Sequence, residues 1–111
     1  MFKNAAKFDT LRSVAFGSLT TSYAQLGAVL PNNAVAIAFK NNTNGLVLVS
    51  FDGINDNLVY PSGSYGVYDI RTNAPSTVDY LLSMNTAILV KYSGSAPTSG
   101  SFYCEVLLAQ I

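Results

Sequence analysis

The chain has no histidine and no tryptophan, a single cysteine, and only 11% charged residues in 111. Each shortage excludes something. Without histidine, the side chain that titrates near neutrality is missing, and a serine nucleophile needs another base, which no motif supplies from Lys40 or Lys91. One cysteine leaves no internal disulfide and no cysteine-based zinc site, so Cys104 reads as small, buried apolar filler. Soluble domains typically carry about a quarter charged residues. Six basic and six acidic residues, with a net charge of zero, give neither the positive field of a nucleic-acid binder nor the self-repulsion that keeps molecules apart. The expectation is a protein that is not an enzyme, uses no cofactor, binds no nucleic acid and associates with other protein.

Long apolar runs are also missing. Ala34 to Phe39 and Val106 to Ala109 fall well short of the roughly 18 residues that cross a bilayer, so no membrane partner is expected. The start, Met1-Phe2-Lys3-Asn4-Ala5-Ala6-Lys7-Phe8, has two lysines without an apolar segment behind them, which is not the pattern of a secretory signal.

What the chain does contain is 50% hydrophobic residues, in short runs of Val, Ile, Leu, Phe and Tyr separated by Asn, Ser, Gly, Pro and Thr. A turn signal about every 8 to 12 residues predicts an all-β, antiparallel sandwich. One domain is expected over residues 13–111, preceded by an N-terminal arm over 1–12. Strands are predicted at Ser13–Gly17, Ser22–Leu26, Ala34–Lys40, Leu46–Phe51, Asn57–Tyr60, Tyr65–Ile70, Val78–Leu82, Thr86–Tyr92 and Ser101–Ala109. The linker Asn41-Asn42-Thr43-Asn44-Gly45, whose Asn and Gly tolerate positive φ, is expected to close a hairpin between the third and fourth of these. Alternation in Ala34–Lys40 puts Val35, Ile37 and Phe39 on a large face and Ala34, Ala36 and Ala38 on a small one. The large face suits the core, and a row of alanines lets another backbone approach closely. The last strand is apolar on both faces, so it either lies centrally under a loop or turns its outer face to another subunit. The loop Ser93–Gly100, long and small-sided, is expected to be mobile or draped over a neighbour.

Sites with chemistry are few. Asp52-Gly53-Ile54-Asn55-Asp56-Asn57 has oxygen ligands at short spacing but lacks the regular carboxylates and terminal Glu of a calcium loop. It reads as a turn whose side chains satisfy local backbone donors, and no metal site is assigned. Asn41-Asn42-Thr43 fits a glycosylation sequon and reads as the hairpin tip. Asp69 and Asp79 read as solvated strand-end carboxylates rather than a glycosidase pair. No residue is assigned to catalysis.

Candidate interface residues come instead from apolar side chains in unusual places. The arm mixes Lys3, Lys7 and Arg12 with Phe2, Phe8 and Leu11, a small, sticky cationic segment; a frayed terminus is the alternative. Tyrosines gather in the middle and C-terminal strands, and tyrosine serves interfaces as readily as cores. Tyr65, Tyr68 and Tyr103, with Leu107 and Ile111, complete the candidate set.

The segments Val47-Leu48-Val49-Ser50-Phe51-Asp52-Gly53, Val59-Tyr60-Pro61-Ser62-Gly63-Ser64 and Tyr68-Asp69-Ile70 resemble a pattern in small accessory structural proteins of tailed phages. Ile88-Leu89-Val90-Lys91-Tyr92-Ser93-Gly94 and Gly100-Ser101-Phe102-Tyr103 continue it. Over its full length the chain resembles the capsid decoration, or staple, proteins of epsilon15-like short-tailed bacteriophages. That resemblance implies a jelly-roll-like sandwich on the outer surface of an icosahedral head. Made in the bacterial host cytoplasm, it would clamp neighbouring copies of the major capsid protein as a homodimer near twofold axes. It carries no catalytic residues to transfer. Two other readings stay open: a head-binding or collar module of the tail, and a carbohydrate-binding module built on stacked tyrosines.

Overall fold

The computed structural model describes residues 5–69 and 82–110. Their strands are β1 (Ala5–Phe8), β2 (Arg12–Ala15), β3 (Ala24–Gln25), β4 (Ala34–Asn41), β5 (Leu46–Ser50), β6 (Leu58–Tyr60), β7 (Tyr65–Asp69), β8 (Leu89–Ser93) and β9 (Ser101–Gln110), with one 3₁₀ turn at Phe16–Ser18. The strand expected over Val78–Leu82 falls outside the described residues except for Leu82, which bridges Ala34.

The strands form two antiparallel sheets. Sheet A runs β1–β9–β4–β7, with β2 continuing β1 along the same edge of β9; sheet B runs β3–β8–β5–β6. Phe8 pairs with Leu107 and Arg12 with Cys104, so three residues, Asp9 to Leu11, stand opposite two, Glu105 and Val106. This is a β-bulge in one edge strand. Among the described strands, with β1 and β2 taken together, every successive pair but β5 and β6 lies in opposite sheets, and the paired orders are those of a jelly roll. The core lies between the sheets: Ile37, Phe39, Phe102, Cys104 and Val106 from A meet Val47, Val49, Tyr60 and Val90 from B. Phe39 anchors it, with ring centroids 5.4 Å from Tyr60, 5.9 Å from Phe102 and 6.4 Å from Phe51. Burial of large rings like these is the main source of stability in a chain of this size. Cys104 is buried among them, and desolvation pushes its thiol up to about 12.

Three expectations need correction. First, the linker after β4 closes no hairpin: β4 pairs with β7 and β9, whereas β5 pairs with β6 and β8. The chain changes sheets there because Asn41 turns inward. Its buried amide donates to the carbonyls of Gly45 (2.9 Å) and Tyr60 (2.7 Å) and accepts from the N–H (2.9 Å) and hydroxyl (2.7 Å) of Thr43. A fully satisfied buried amide holds the corner, and it leaves no accessible Asn41 nitrogen for a glycan. Second, a register shift between Ala34 and Ala36 exchanges the first pair of faces. Ala34 is buried and Val35 only half-buried, whereas Ile37 and Phe39 point inward as expected. Third, Ser93–Gly100 folds onto its own chain. Asn44 and Thr98 exchange two hydrogen bonds, at 2.7 and 2.8 Å, and buried Pro97 packs against Gly45.

The Asp52 loop is the turn expected. One carboxylate oxygen accepts from the N–H groups of Ile54 and Asn55 and from the Ser50 hydroxyl, each at 2.9 Å; the other accepts from the Asn55 amide at 2.7 Å. These donors favour the ionised form and hold this carboxyl well below the usual range.

Two predictions follow from the loops. Gly100 has φ +85°, and a Cβ there would sit 2.0 Å from the carbonyl oxygen of Asn42. Gly100→Ala should therefore destabilise the fold by about 2 kcal/mol or more, read as a lowered midpoint in urea. Asp52, with its folded pKa depressed, contributes stability that is fully present above about pH 4 and is lost as pH falls through the folded value. The melting-temperature difference between wild type and Asp52→Asn should accordingly shrink from pH 6 to pH 2; a constant difference would remove Asp52 from the acid response.

Candidate interface on the outer face of sheet A

Strand pairing carries the face that sheet A turns away from the core. Alternation places Ala36, Ala38 and Lys40 of β4 on it, between Tyr65, Val67 and Asp69 of β7 and Tyr103, Glu105 and Leu107 of β9. Phe8 joins beside Leu107, and Ser13 beside Tyr103. Along the middle strand Ala36 and Ala38 offer only methyl groups before Lys40, and the side chains on either side are larger. The result is a trough with an alanine floor. Ala38, Lys40, Tyr65, Val67, Tyr103 and Glu105 line a cleft of about 270 Å³ within it.

This face is apolar and open. Phe8 is 71% exposed, Tyr65 75% and Val67 68%, and contiguous exposure of large apolar groups marks an interaction surface. Its charges are few: Lys40 lies at one end, Glu105 beside Ala38, and Asp69 beside Ala36. Sheet B's outer side is different. There Lys91 lies 4.5 Å from the ring centroid of Tyr23 and 3.7 Å from the Asp56 carboxylate, while the Tyr23 hydroxyl donates to Asp56 at 2.5 Å. Burial and that carboxylate raise the tyrosine's pKa. A polar network thus crosses the outer side of sheet B.

Of the candidate residues read from the sequence, Phe8, Tyr65, Tyr103 and Leu107 come together on this one face. Tyr68 belongs to the same strand as Tyr65 but points the other way, opposite Ile37, and its hydroxyl accepts from Tyr60 at 3.2 Å. Gly66 makes that contact possible, because a Cβ there would lie 2.8 Å from the Tyr60 oxygen. Burial, then the bond to Tyr68, push the Tyr60 phenol upward.

The arm divides. Residues 5–8 pair with β9 as β1, and Leu11, exposed, lies in the bulge. Lys7 is exposed opposite Leu108, off the face that carries Phe8. Arg12 is buried: its guanidinium donates to the Ala28 carbonyl at 3.1 Å and lies 2.8 Å from the Asp9 carboxylate, while Gly27 covers its stem. Its charge is used inside the molecule. Phe2, Lys3 and Ile111 lie outside the described residues. The face also includes Val67, Ala36 and Ala38, which the candidate set omits; their signal was period-two alternation with Tyr65 and with Lys40.

Among the described residues no group of three or more metal-ligating side chains occurs, and no helix is long and apolar enough to cross a membrane. No family model matches the chain, and no curated protein matches it. Among solved structures it is similar to a chain of the "Cyanophage Pam1 capsid asymmetric unit", with 20% identity and a TM-score of 0.57. The likeness covers 100% of this chain and 89% of that one, so the two share a fold over essentially their whole length.

Proposed function

We propose that this protein is a non-enzymatic structural component of a phage virion. It decorates the outer surface of an icosahedral capsid as a homodimer and clamps neighbouring major capsid protein subunits through the outer face of sheet A. The alanine-floored apolar trough is the observation that carries this reading, since an open apolar face of this kind packs against protein. The full-length likeness to a chain from a cyanophage capsid supports the setting, as does the resemblance of the sequence to phage staple proteins.

The physics suits a clamp. A domain that spans a junction gains from each subunit it touches, because the second contact forms at high effective concentration once the first holds. Modest patches then suffice. Low charge density keeps desolvation small across them, since unpaired buried charges are what an interface tolerates least. Binding only the assembled shell adds free energy to the intact head that separated subunits lack.

Heads purified without this protein should assemble but rupture at lower temperature and milder osmotic shock, with resistance restored by adding the protein. Ala38→Arg fills the trough without touching the core, so it should fold normally and bind heads at least about tenfold more weakly, near 1.4 kcal/mol. Val59→Lys, on the outer side of sheet B, should bind as wild type. Equal resistance with and without the protein, or a copy number in whole particles far below that of the capsid protein, would rule the clamp out.

A further inference from the structure

The outer face of sheet A constrains what can lie on it. β4 is hydrogen-bonded on both sides, to β7 and to β9, so the trough floor offers no main-chain donor or acceptor, and Ala36 and Ala38 offer only methyl groups. An extended segment laid there would bury its own N–H and C=O groups without partners, a cost that apolar contact does not offset. The occupant must therefore satisfy its main chain internally, as a helix does, or bring a sheet of its own. Shape separates the two. Tyr65 and Val67, 75% and 68% exposed, stand above the alanines on one side, with Tyr103 and Leu107 on the other. A second sheet needs a level face. These walls belong to strands two positions apart, about 10 Å, which matches the girth of an α-helix.

One end of the trough differs chemically from the rest. The cross-strand row Tyr65, Lys40, Tyr103 sets two phenols and an ammonium side by side. Among the described residues Lys40 and Glu105 enter no ion pair, and the hydroxyls of Tyr65 and Tyr103 have no hydrogen-bond partner. Three donors thus wait at the end of an apolar channel. A helix C-terminus has the complementary need, because its last four carbonyls lack partners within the helix and carry partial negative charge.

We propose that the trough takes one amphipathic α-helix of the capsid subunit it clamps, lying along β4 with its last turn over Lys40. The inference deepens the clamp reading and rests on it. From the row of Ala36 and Leu107 to the row of Lys40 and Tyr103 is four residues, about 13 Å, so about nine helical residues lie on the face. Large apolar side chains at i, i+4 and i+7 fill the space above the alanines. The Tyr65 and Tyr103 hydroxyls and the Lys40 ammonium donate to the final carbonyls. Glu105, beside Ala38 and one row back, meets a lysine or arginine about one turn before the helix ends. A reversed helix would set its positive N-terminus against the ammonium.

Heads carrying the protein supply the test. The diazirine analogue of leucine, placed singly at Val67 or at Leu107, keeps the bulk of the walls. On irradiation it should cross-link to the major capsid protein at residues three, four or seven apart, with the Val67 adducts C-terminal to the Leu107 adducts. Adducts two residues apart mean an extended strand, and the opposite order means the opposite polarity; either overturns the inference and leaves the clamp standing. No adduct from heads that carry the labelled chain removes the trough as the docking face as well. Tyr65→Phe and Tyr103→Phe keep the ring and lose the donor, so each should weaken head binding about threefold to tenfold. Lys40→Glu should weaken it at least about tenfold, whereas Lys40→Arg should bind within about twofold of wild type. All four positions of change are on the surface, and circular dichroism reports whether each variant is folded. Wild-type binding by both phenylalanine variants, or by Lys40→Glu, overturns the seating of the helix end.

Discussion

The architecture turns on the buried amide of Asn41. Its four hydrogen bonds tie the end of β4 to the start of β5 and to the end of β6, which obliges the chain to leave one sheet and enter the other at that point. Had Asn41–Gly45 closed a local hairpin, β4 and β5 would be neighbours and the alanines of β4 would lie beside β5. With the corner in place, β4 sits between β7 and β9, and its alanines become the floor between two rows of large side chains. A polar group placed where water cannot reach is costly unless fully paired. Here full pairing gives the corner its specificity.

The neighbouring contacts extend the same device. Ser62 donates its hydroxyl to the Thr43 carbonyl, Asn44 and Thr98 clasp the β8–β9 loop, and Gly100 admits the backbone of Asn42 within a distance no side chain would allow. Three connections from distant parts of the sequence therefore meet at one end of the sandwich. The tilted rings of Phe39, Tyr60 and Phe102 pack directly beneath, so the polar corner and the aromatic centre of the core support each other.

Much of this was legible in the chain itself. Short apolar runs and their spacing located β4, β5, β7 and β9 closely, because alternation and turn residues are local signals. What misled was everything decided at a distance. An Asn- and Gly-rich linker looks the same whether it joins paired strands or strands in opposite sheets, and only the partner of β4, far along at β9, settles which. Ala5-Ala6-Lys7-Phe8 has little intrinsic β preference and becomes a strand because β9 offers it an edge. Arg12 reads as part of a cationic arm that meets a partner until the bulge at Asp9–Leu11 turns it inward beside Cys104. The interface was half visible: Tyr65, Tyr103, Leu107 and Phe8 stood out as large groups and the alanines of β4 as a small face, whereas Val67 drew no separate signal and only the pairing of β7 with β4 brings it beside Ala38.

The register shift between Ala34 and Ala36 has an evolutionary consequence. Side chains alternate with a strict period of two, so the shift resets which residues of β4 look inward, and the Asn41 corner closes the reading frame again a few residues later. Between those two points a gained or lost residue would send phenylalanine to solvent and alanine to the core. A change of length around Ile54 or Gly94 would leave that phase untouched, but the interval from Ala36 to Lys40 must keep its count, much as a codon run must keep its phase.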